Sequence, residues 1–584
     1  MAVIAFFERM VGAFAGMTLA YWVCVLLHLP QTIGQVLTLG MAMALGWTCG
    51  RQGAPSIWAE RREFCVLLGL SLSVAAGTAL LYAFNPDDST FFHRIAYLGL
   101  HGELFEPGYD TRLAFDRVAP ISAAHLTTSW EYALVRVGHV AGSDVIGYQI
   151  GGTVISIVLY VFAVHYTITH FAPHAVASTK ILATLSVLVF LFFDADQNRR
   201  IGAWLFLGGW TGKCFLAAAL IALFPAFDRA RSHDRPADWL FLACLVVFLM
   251  GLTGSALFIL PIGMAALIVV DGATRGWVRG HLWAAALMGL PVLVGLVFVG
   301  KFGPLLDDSY WRAWQNMPFL EYARLTLSAR SLVLYLVLVA LLLWLRAPWL
   351  RVDALRRFAL YQMVLACVLL NPVLLPVFQR FVPSDGFWRI FYLFQYPTIA
   401  AVIGVWLFEA LRQSDVRRSM VPATLVAAGI LAGGSVLSLQ TQWGYPRHLK
   451  GMLAPKLSDA EYRSAAAAVL GCDRFRTPSV VLAPEPWEVT AQMLAPSLQS
   501  VAARHMRHNF SNTPQEGLAL GEAERGRARD FVSAAGAGFE PDFRTVLGLG
   551  VDIVVMRPAV AATTPLPGFR QVHADNDYVV FCRV

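Results

Sequence analysis

The sequence predicts a polytopic α-helical membrane protein of about thirteen spans, with a small α/β domain at its C-terminal end. Three observations predict it. The first is composition: of 584 residues, 57% are hydrophobic and only 14% are charged, where a soluble domain carries roughly 25% charged residues. The second is the recurrence of apolar runs long enough to cross a bilayer. The third is a change of character after residue 440, where no spanning run remains and acids nearly balance bases.

A span needs roughly 20 mostly apolar residues. Such runs occur near 11–28, 33–49, 64–84, 145–169, 181–193, 209–227, 238–252, 256–270, 281–300, 327–345, 357–377, 389–411 and 420–440. The runs 181–193, 238–252 and 256–270 are short, so they read as broken, re-entrant or fused helices. The first run lacks a small-residue cleavage site and reads as a retained helix.

Arginine and lysine in the loops set the orientation. One set of loops holds Arg51, Arg61, Arg62, Lys180, Arg229, Arg231, Arg235, Arg275, Arg279, Arg346, Arg351, Arg356, Arg357, Arg412, Arg417 and Arg418, about twice the cations of the opposite short loops. That set is expected to be cytoplasmic. The N-terminus is then inside, and the loop 85–144 and the tail 441–584 are outside, which means periplasmic in a bacterial inner membrane. The same arginines account for the net charge of +7. No zinc-finger spacing, RNA-binding aromatic motif or basic helix accompanies them, so the expected partners are membrane lipids and not nucleic acid.

In the tail, 479–484 and 551–556 read as buried strands, 458–470 and 521–535 as helices. Asn576-Asp577 reads as a turn into a last strand at 578–581. The domains are therefore 1–440 and 441–584. Six cysteines lie in or beside apolar runs and behave as small hydrophobes. Cys472 and Cys582 lie in the tail, where an oxidising compartment permits a disulfide. The sequence alone leaves that pairing open.

The chemistry-bearing residues gather at the predicted outer edge. The third span ends in Phe84-Asn85-Pro86-Asp87-Asp88, so two adjacent carboxylates stand where a helix leaves the bilayer. Asn-Pro-Asp is also ordinary turn chemistry. A carboxylate partly desolvated at a membrane surface, however, can have a raised pKa and act as a general base. Ser89 or Thr90 can cap an interfacial helix bearing Phe91, Phe92, Ile95 and Leu98 on one face. A second helix starts near Thr128, and Thr128 with Glu131 has the spacing of a capping box. That spacing accounts for Glu131 without catalysis.

Two cations stand out on the same side. Lys213 ends Gly208-Gly209-Trp210-Thr211-Gly212-Lys213, a Gly-rich approach to a span that lacks P-loop spacing. Its plain alternative is a snorkelling lysine. Arg389 lies in Trp388-Arg389-Ile390-Phe391, at a helix N-terminus where the macrodipole disfavours a cation. A bidentate contact to phosphate would explain it, and a headgroup anchor is the plain alternative. Asp307-Asp308 reads as a turn. His93, His101, His125 and His139 have no metal-ligand spacing, so no zinc site is expected.

Taken in order, Asp87-Asp88, Trp210-Thr211-Gly212-Lys213 and Trp388-Arg389-Ile390-Phe391, with interfacial helices in the first large outer loop and an outer C-terminal domain, resemble the GT-C superfamily of membrane glycosyltransferases. The layout is similar to poorly characterised bacterial multi-pass members. It covers most of residues 64–440, and the motifs are only a handful of residues. The resemblance implies a polyprenyl-phosphate sugar donor, inverting transfer to an envelope acceptor, and Asp87 or Asp88 as base. It implies donor contacts from Lys213 and Arg389, with Trp210, Trp388 and His93 beside them. No other cofactor is implied, and a divalent metal requirement stays open. The chain departs from the family pattern in that the acidic loop follows the third span and not the first. Two other classes compete: a transporter or flippase of a lipid-linked intermediate, and a non-catalytic envelope assembly protein whose tail, with Arg504-His505-Met506-Arg507-His508, docks partners.

Overall fold

The described part of every expected span between 11 and 411 is largely helical. The computed structural model describes residues 2–50, 61–81, 126–141, 150–193, 201–208, 211–302, 329–374, 387–412, 460–472, 479–484, 487, 491, 498–501, 522–533 and 540–584. The expected span 420–440 lies outside the described residues. In chain order the helices are α1 (Ala2–Leu27), α2 (Gln31–Cys49), α3 (Arg61–Leu81), α4 (Trp130–Ala141), α5 (Gly152–Phe171), α6 (Ala177–Phe193) and α7 (Ile201–Gly208). They continue with α8 (Gly212–Ala219), α9 (Leu223–His233), α10 (Pro236–Leu252), α11 (Ala256–Arg275), α12 (Gly280–Phe302), α13 (Ala329–Trp344) and α14 (Val352–Leu369). A 3₁₀ segment, Phe387–Leu393, precedes α15 (Tyr396–Arg412).

Among the described residues, six segments are long and apolar enough to cross a membrane: Ala2–Leu27, Gln31–Cys49, Gly152–Phe171, Ala256–Arg275, Gly280–Phe302 and Arg389–Ala410. Ala177–Leu191, Pro236–Leu252 and Tyr335–Trp344 are shorter apolar helices. The chain is an integral membrane protein. Two details depart from a simple reading of hydropathy. The short helix α7 was not expected, because eight apolar residues are too few for a span. The expected span 389–411 begins as 3₁₀ helix and is interrupted at Phe394–Gln395.

Close packing is set by small residues. A Cβ on Gly12 would sit 2.6 Å from the Leu45 carbonyl oxygen, so α1 and α2 approach backbone to backbone. A Cβ on Gly212 would run into the carbonyl of Leu252, joining the start of α8 to the end of α10.

One edge of the bundle is held by ion pairs. Arg229 meets Glu8 of α1 at 2.5 Å and Asp238 of α10 at 2.6 Å. Arg275 and Arg357 both reach Asp228 at 2.9 Å, and His170 of α5 meets the same carboxylate at 3.0 Å. Asp271 takes Arg231 at 2.6 Å, Arg275 at 3.0 Å and His281 at 3.1 Å. All four carboxylates are buried. Their partner arginines belong to the loops expected on the cytoplasmic side. Asp238 opens α10 and Asp271 closes α11, and both stand at this edge. The pair 238–252 and 256–270 is therefore an antiparallel hairpin that reverses at Thr253–Ser255, not one fused helix.

The C-terminal region forms a five-stranded mixed sheet. Its strands are β1 (Ser479–Leu482), β2 (Leu498–Ser500), β3 (Ile553–Met556), β4 (Phe569–Ala574) and β5 (Val579–Arg583), in the order β2-β1-β3-β5-β4. β1 runs parallel to β2 and β3, while β5 is antiparallel to β3 and β4. Helices α16 (Ala460–Gly471), α17 (Glu522–Ser533), α18 (Glu540–Leu547) and α19 (Pro558–Ala561) accompany it.

Alternate residues of β3 serve two cores, as the strand pleat dictates. Ile553 and Val555 pack with Trp487, Tyr578 and Val580, and Val554 and Met556 with Phe531 and Phe543. The Cys472–Cys582 disulfide ties the residue after α16 to β5, with Cα atoms 6.0 Å apart. The β4–β5 turn is an Asx turn: Asp575 Oδ1 accepts the N–H groups of Asp577 at 2.8 Å and Tyr578 at 2.7 Å. Burial pushes the Asp575 carboxyl up, but the His573 hydrogen bond and these two N–H groups outweigh it and hold it below the ordinary carboxylate value.

Candidate functional site

A second polar cluster stands at the other edge, on the same helices. α1 carries Glu8 near its start and Thr18 and Trp22 further on. α10 carries Asp238 at its start and Gly251 near its end. α11 begins after Ser255 and ends past Asp271. The ion pairs and the second cluster are therefore separated by the length of these helices.

The cluster is built from helix ends. Gly251 offers its carbonyl to the Ser129 N–H at 2.8 Å, which docks the start of α4 on the end of α10. The Ser129 hydroxyl hydrogen-bonds Thr18 at 2.7 Å, and Trp22 Nε1 donates to the Thr127 carbonyl at 2.7 Å. Gly251 is required here, since a Cβ would lie 2.6 Å from Ser129 Oγ. The Trp130 ring packs against Phe14 of α1 and Phe215 of α8, with centroids 5.6 and 5.4 Å apart. Segment 127–131, the first turn of α8 and the α10–α11 turn are thus one packed unit.

The two cations singled out by sequence belong to elements that join at this unit. Arg389, on the 3₁₀ segment, donates from Nη1 to Ser255 Oγ in the α10–α11 turn. Lys213 lies in the first turn of α8. α8 and the 3₁₀ segment pack against one another.

Glu131 was missed as a site residue. Thr128 stands beside it, as the sequence spacing predicts, but neither carboxylate oxygen meets a partner at hydrogen-bond geometry among the described residues. Glu131 is only 1% exposed. Burial pushes its carboxyl up to about 7, with its own backbone N–H and the nearby Thr128 side chain opposing. A buried carboxyl whose titration is shifted toward neutrality is a functional candidate. The only sequence signal was its place between Trp130 and Tyr132, which is too common to single it out.

Lys301, the other cation on this edge, donates to the Leu26 carbonyl and caps the C-terminus of α1, where a cation is favoured. Asp87, Asp88, His93 and Trp210 lie outside the described residues, and Trp388 is part of the 3₁₀ segment. Among the described residues no group of three His, Cys, Asp or Glu side chains could hold a metal ion.

The fold is similar to that of an archaeal oligosaccharyltransferase from Archaeoglobus fulgidus. Against its apo crystal structure the TM-score is 0.51 at 11% identity, covering 86% of this chain and 70% of that chain. Against AglB of the same organism, in complex with an inhibitory peptide and a dolichol-phosphate, the TM-score is 0.52 at 10% identity with the same coverage. No protein-family profile matches the sequence, and no curated protein sequence matches it. At these identities the likeness is one of fold: a GT-C-like arrangement of membrane helices.

Proposed function

We propose that the chain is a membrane glycosyltransferase that takes a sugar from a polyprenyl-phosphate carrier and transfers it to an envelope acceptor. The observation that carries this reading is that α8, which opens with Lys213, and the 3₁₀ segment that carries Arg389 pack together at one polar edge of a GT-C-like bundle. The similar archaeal protein was captured with a dolichol-phosphate and a peptide, which is the class of ligand such an edge would take.

The chemistry follows from charge. In the transition state the bond from the anomeric carbon to the phosphate oxygen breaks, and negative charge grows on the departing phosphate. A guanidinium and an ammonium preorganised in a poorly hydrated site stabilise that charge most where it develops. Asp87 or Asp88 removes the proton from the acceptor hydroxyl, which attacks from the opposite face and inverts the centre. Trp210, Trp388 and His93 flank the donor in this reading. The ion-paired arginine edge then faces the cytoplasm and the Arg389 edge faces the periplasm, following the positive-inside rule.

A transporter needs polar groups continuing from one edge to the other. Among the described spanning helices, acids and bases stand at the ends, and one edge is closed by ion pairs. That favours an enzyme.

The test is mass spectrometry of envelope glycans and lipids from a deletion strain complemented with wild type, Asp87→Asn, Asp88→Asn or Arg389→Lys at matched membrane abundance. A sugar modification should vanish in the deletion and in one aspartate variant. In membranes supplied with donor, Arg389→Lys should raise the donor KM about tenfold, since lysine cannot form the bidentate fork. A modification that survives both aspartate variants removes the base assignment and makes transport or assembly the better reading.

A further inference from the structure

The segment that carries Arg389 has an unusual backbone. Phe387–Leu393 is 3₁₀ helix over seven residues, whereas such runs ordinarily stop after three or four. The cause lies downstream. Pro397 stands in the first turn of α15, and a proline inside a helix lacks its N–H and crowds the carbonyl four residues earlier. That carbonyl belongs to Leu393, so the helix cannot run through.

The backbone groups freed by this break are buried, and one side chain satisfies them. Gln362 of α14 is fully buried. Its Nε2 donates to the Leu393 carbonyl at 3.3 Å, and its Oε1 accepts the Gln395 N–H at 3.0 Å. The Tyr335 hydroxyl donates to the same Oε1 at 2.5 Å and fixes the amide. Gln395 adds a bond from Nε2 to the Tyr392 carbonyl at 2.6 Å.

The consequence falls on Arg389, four residues before Leu393. Each 3₁₀ residue turns about 120° and rises ~2.0 Å, against about 100° and ~1.5 Å in an α-helix. If the segment relaxed to α-helix, Arg389 would swing by roughly 80° and shift by ~2 Å along the axis. Its contact with Ser255 would be lost.

We propose that Gln362 is a positioning residue for Arg389: by holding Leu393 and Gln395 it keeps the 3₁₀ turn wound and sets the direction from which the guanidinium meets the donor phosphate. The phosphate is supplied by the function proposed above; the positioning itself is not.

Two experiments on the full chain separate these. In the first, cysteines replace Ser255 and Arg389 in a background where the exposed Cys65 and Cys367 are serine, and a short bifunctional thiol reagent reports their approach. Gln362→Met should slow cross-linking several-fold, and Tyr335→Phe should do so more weakly without unpairing Leu393. Equal rates in all three backgrounds overturn the proposal, whether or not the protein binds any donor. In the second, decaprenyl monophosphate is titrated into the protein in nanodiscs. Gln362→Met should weaken binding about tenfold when Arg389 is present, and not at all when Arg389 is alanine. Equal weakening in both contexts means Gln362 acts on the fold at large and overturns it. Absence of wild-type binding counts against the donor class alone, and the cross-linking rates then decide the positioning.

Discussion

Glu131 should make stability depend on pH in a defined direction. Its carboxyl is shifted from 4.5 to about 7 in the folded state, so folding favours the protonated form. Below 4.5 the folded and unfolded chains are both protonated and nothing is lost. As pH rises from 4.5 to 7 the unfolded chain ionises first, and stability falls by about 3 kcal/mol before levelling off. Wild type should therefore melt at a lower temperature at pH 8 than at pH 5 in detergent micelles. Glu131→Gln should flatten that difference; an unchanged slope would show that another group carries it. Residues of this kind differ in how well the sequence exposes them. Lys213 and Arg389 draw attention in the sequence because each is out of place locally, a lysine after a Gly-rich approach and a cation at a helix start. Glu131 does not, because a capping-box spacing says nothing about whether the carboxylate faces water. Gln362 was hidden for a different reason. It is one amide in an apolar run, and its partners are set by a proline 35 residues later in the chain, a relation that no local pattern carries.

At the scale of elements, glycine decides which helices touch. Gly212→Ala would push the start of α8 off the Leu252 carbonyl and carry Lys213 with it. We expect a loss of at least ~2 kcal/mol, in the range of other overpacked contacts, read as a lower melting temperature and weaker donor binding. Gly40→Ala is the control: nothing lies within 4 Å of an added Cβ there, so the melting temperature should hold or rise slightly. The spans themselves were legible because hydropathy over a window of this length is a strong signal. The α10–α11 hairpin was harder, since three residues between two short apolar runs fit a kink as well as a reversal. The 3₁₀ segment was out of reach of hydropathy altogether. Its cause, Pro397, was visible, but an apolar run reads the same whether its hydrogen bonds close three or four residues back.

For the whole molecule, the Cys472–Cys582 bond closes a loop of 110 residues, which chain-entropy reasoning values at about 4–5 kcal/mol. Replacing both cysteines with serine should make the C-terminal sheet open to protease at lower urea, while melting of the helical bundle stays the same. Because such bonds persist in oxidising compartments, a phosphatase reporter fused after Val584 should be active if the tail is periplasmic, and silent if the orientation read from the arginines is reversed. The arginine edge also has a history that the finished fold conceals. Glu8 is buried against Arg229, yet a ribosome making about 5–20 residues per second reaches that arginine only some 10–45 s after it has made the glutamate. During that interval the Glu8 carboxyl lacks its final partner and must be satisfied by water, headgroups or a proton at that edge. Chains arrested before residue 229 should therefore keep a cysteine placed beside Glu8 open to water-soluble thiol reagents, and chains released after it should not. On that reading, burial of the acidic end of the first helix waits for the ninth helix.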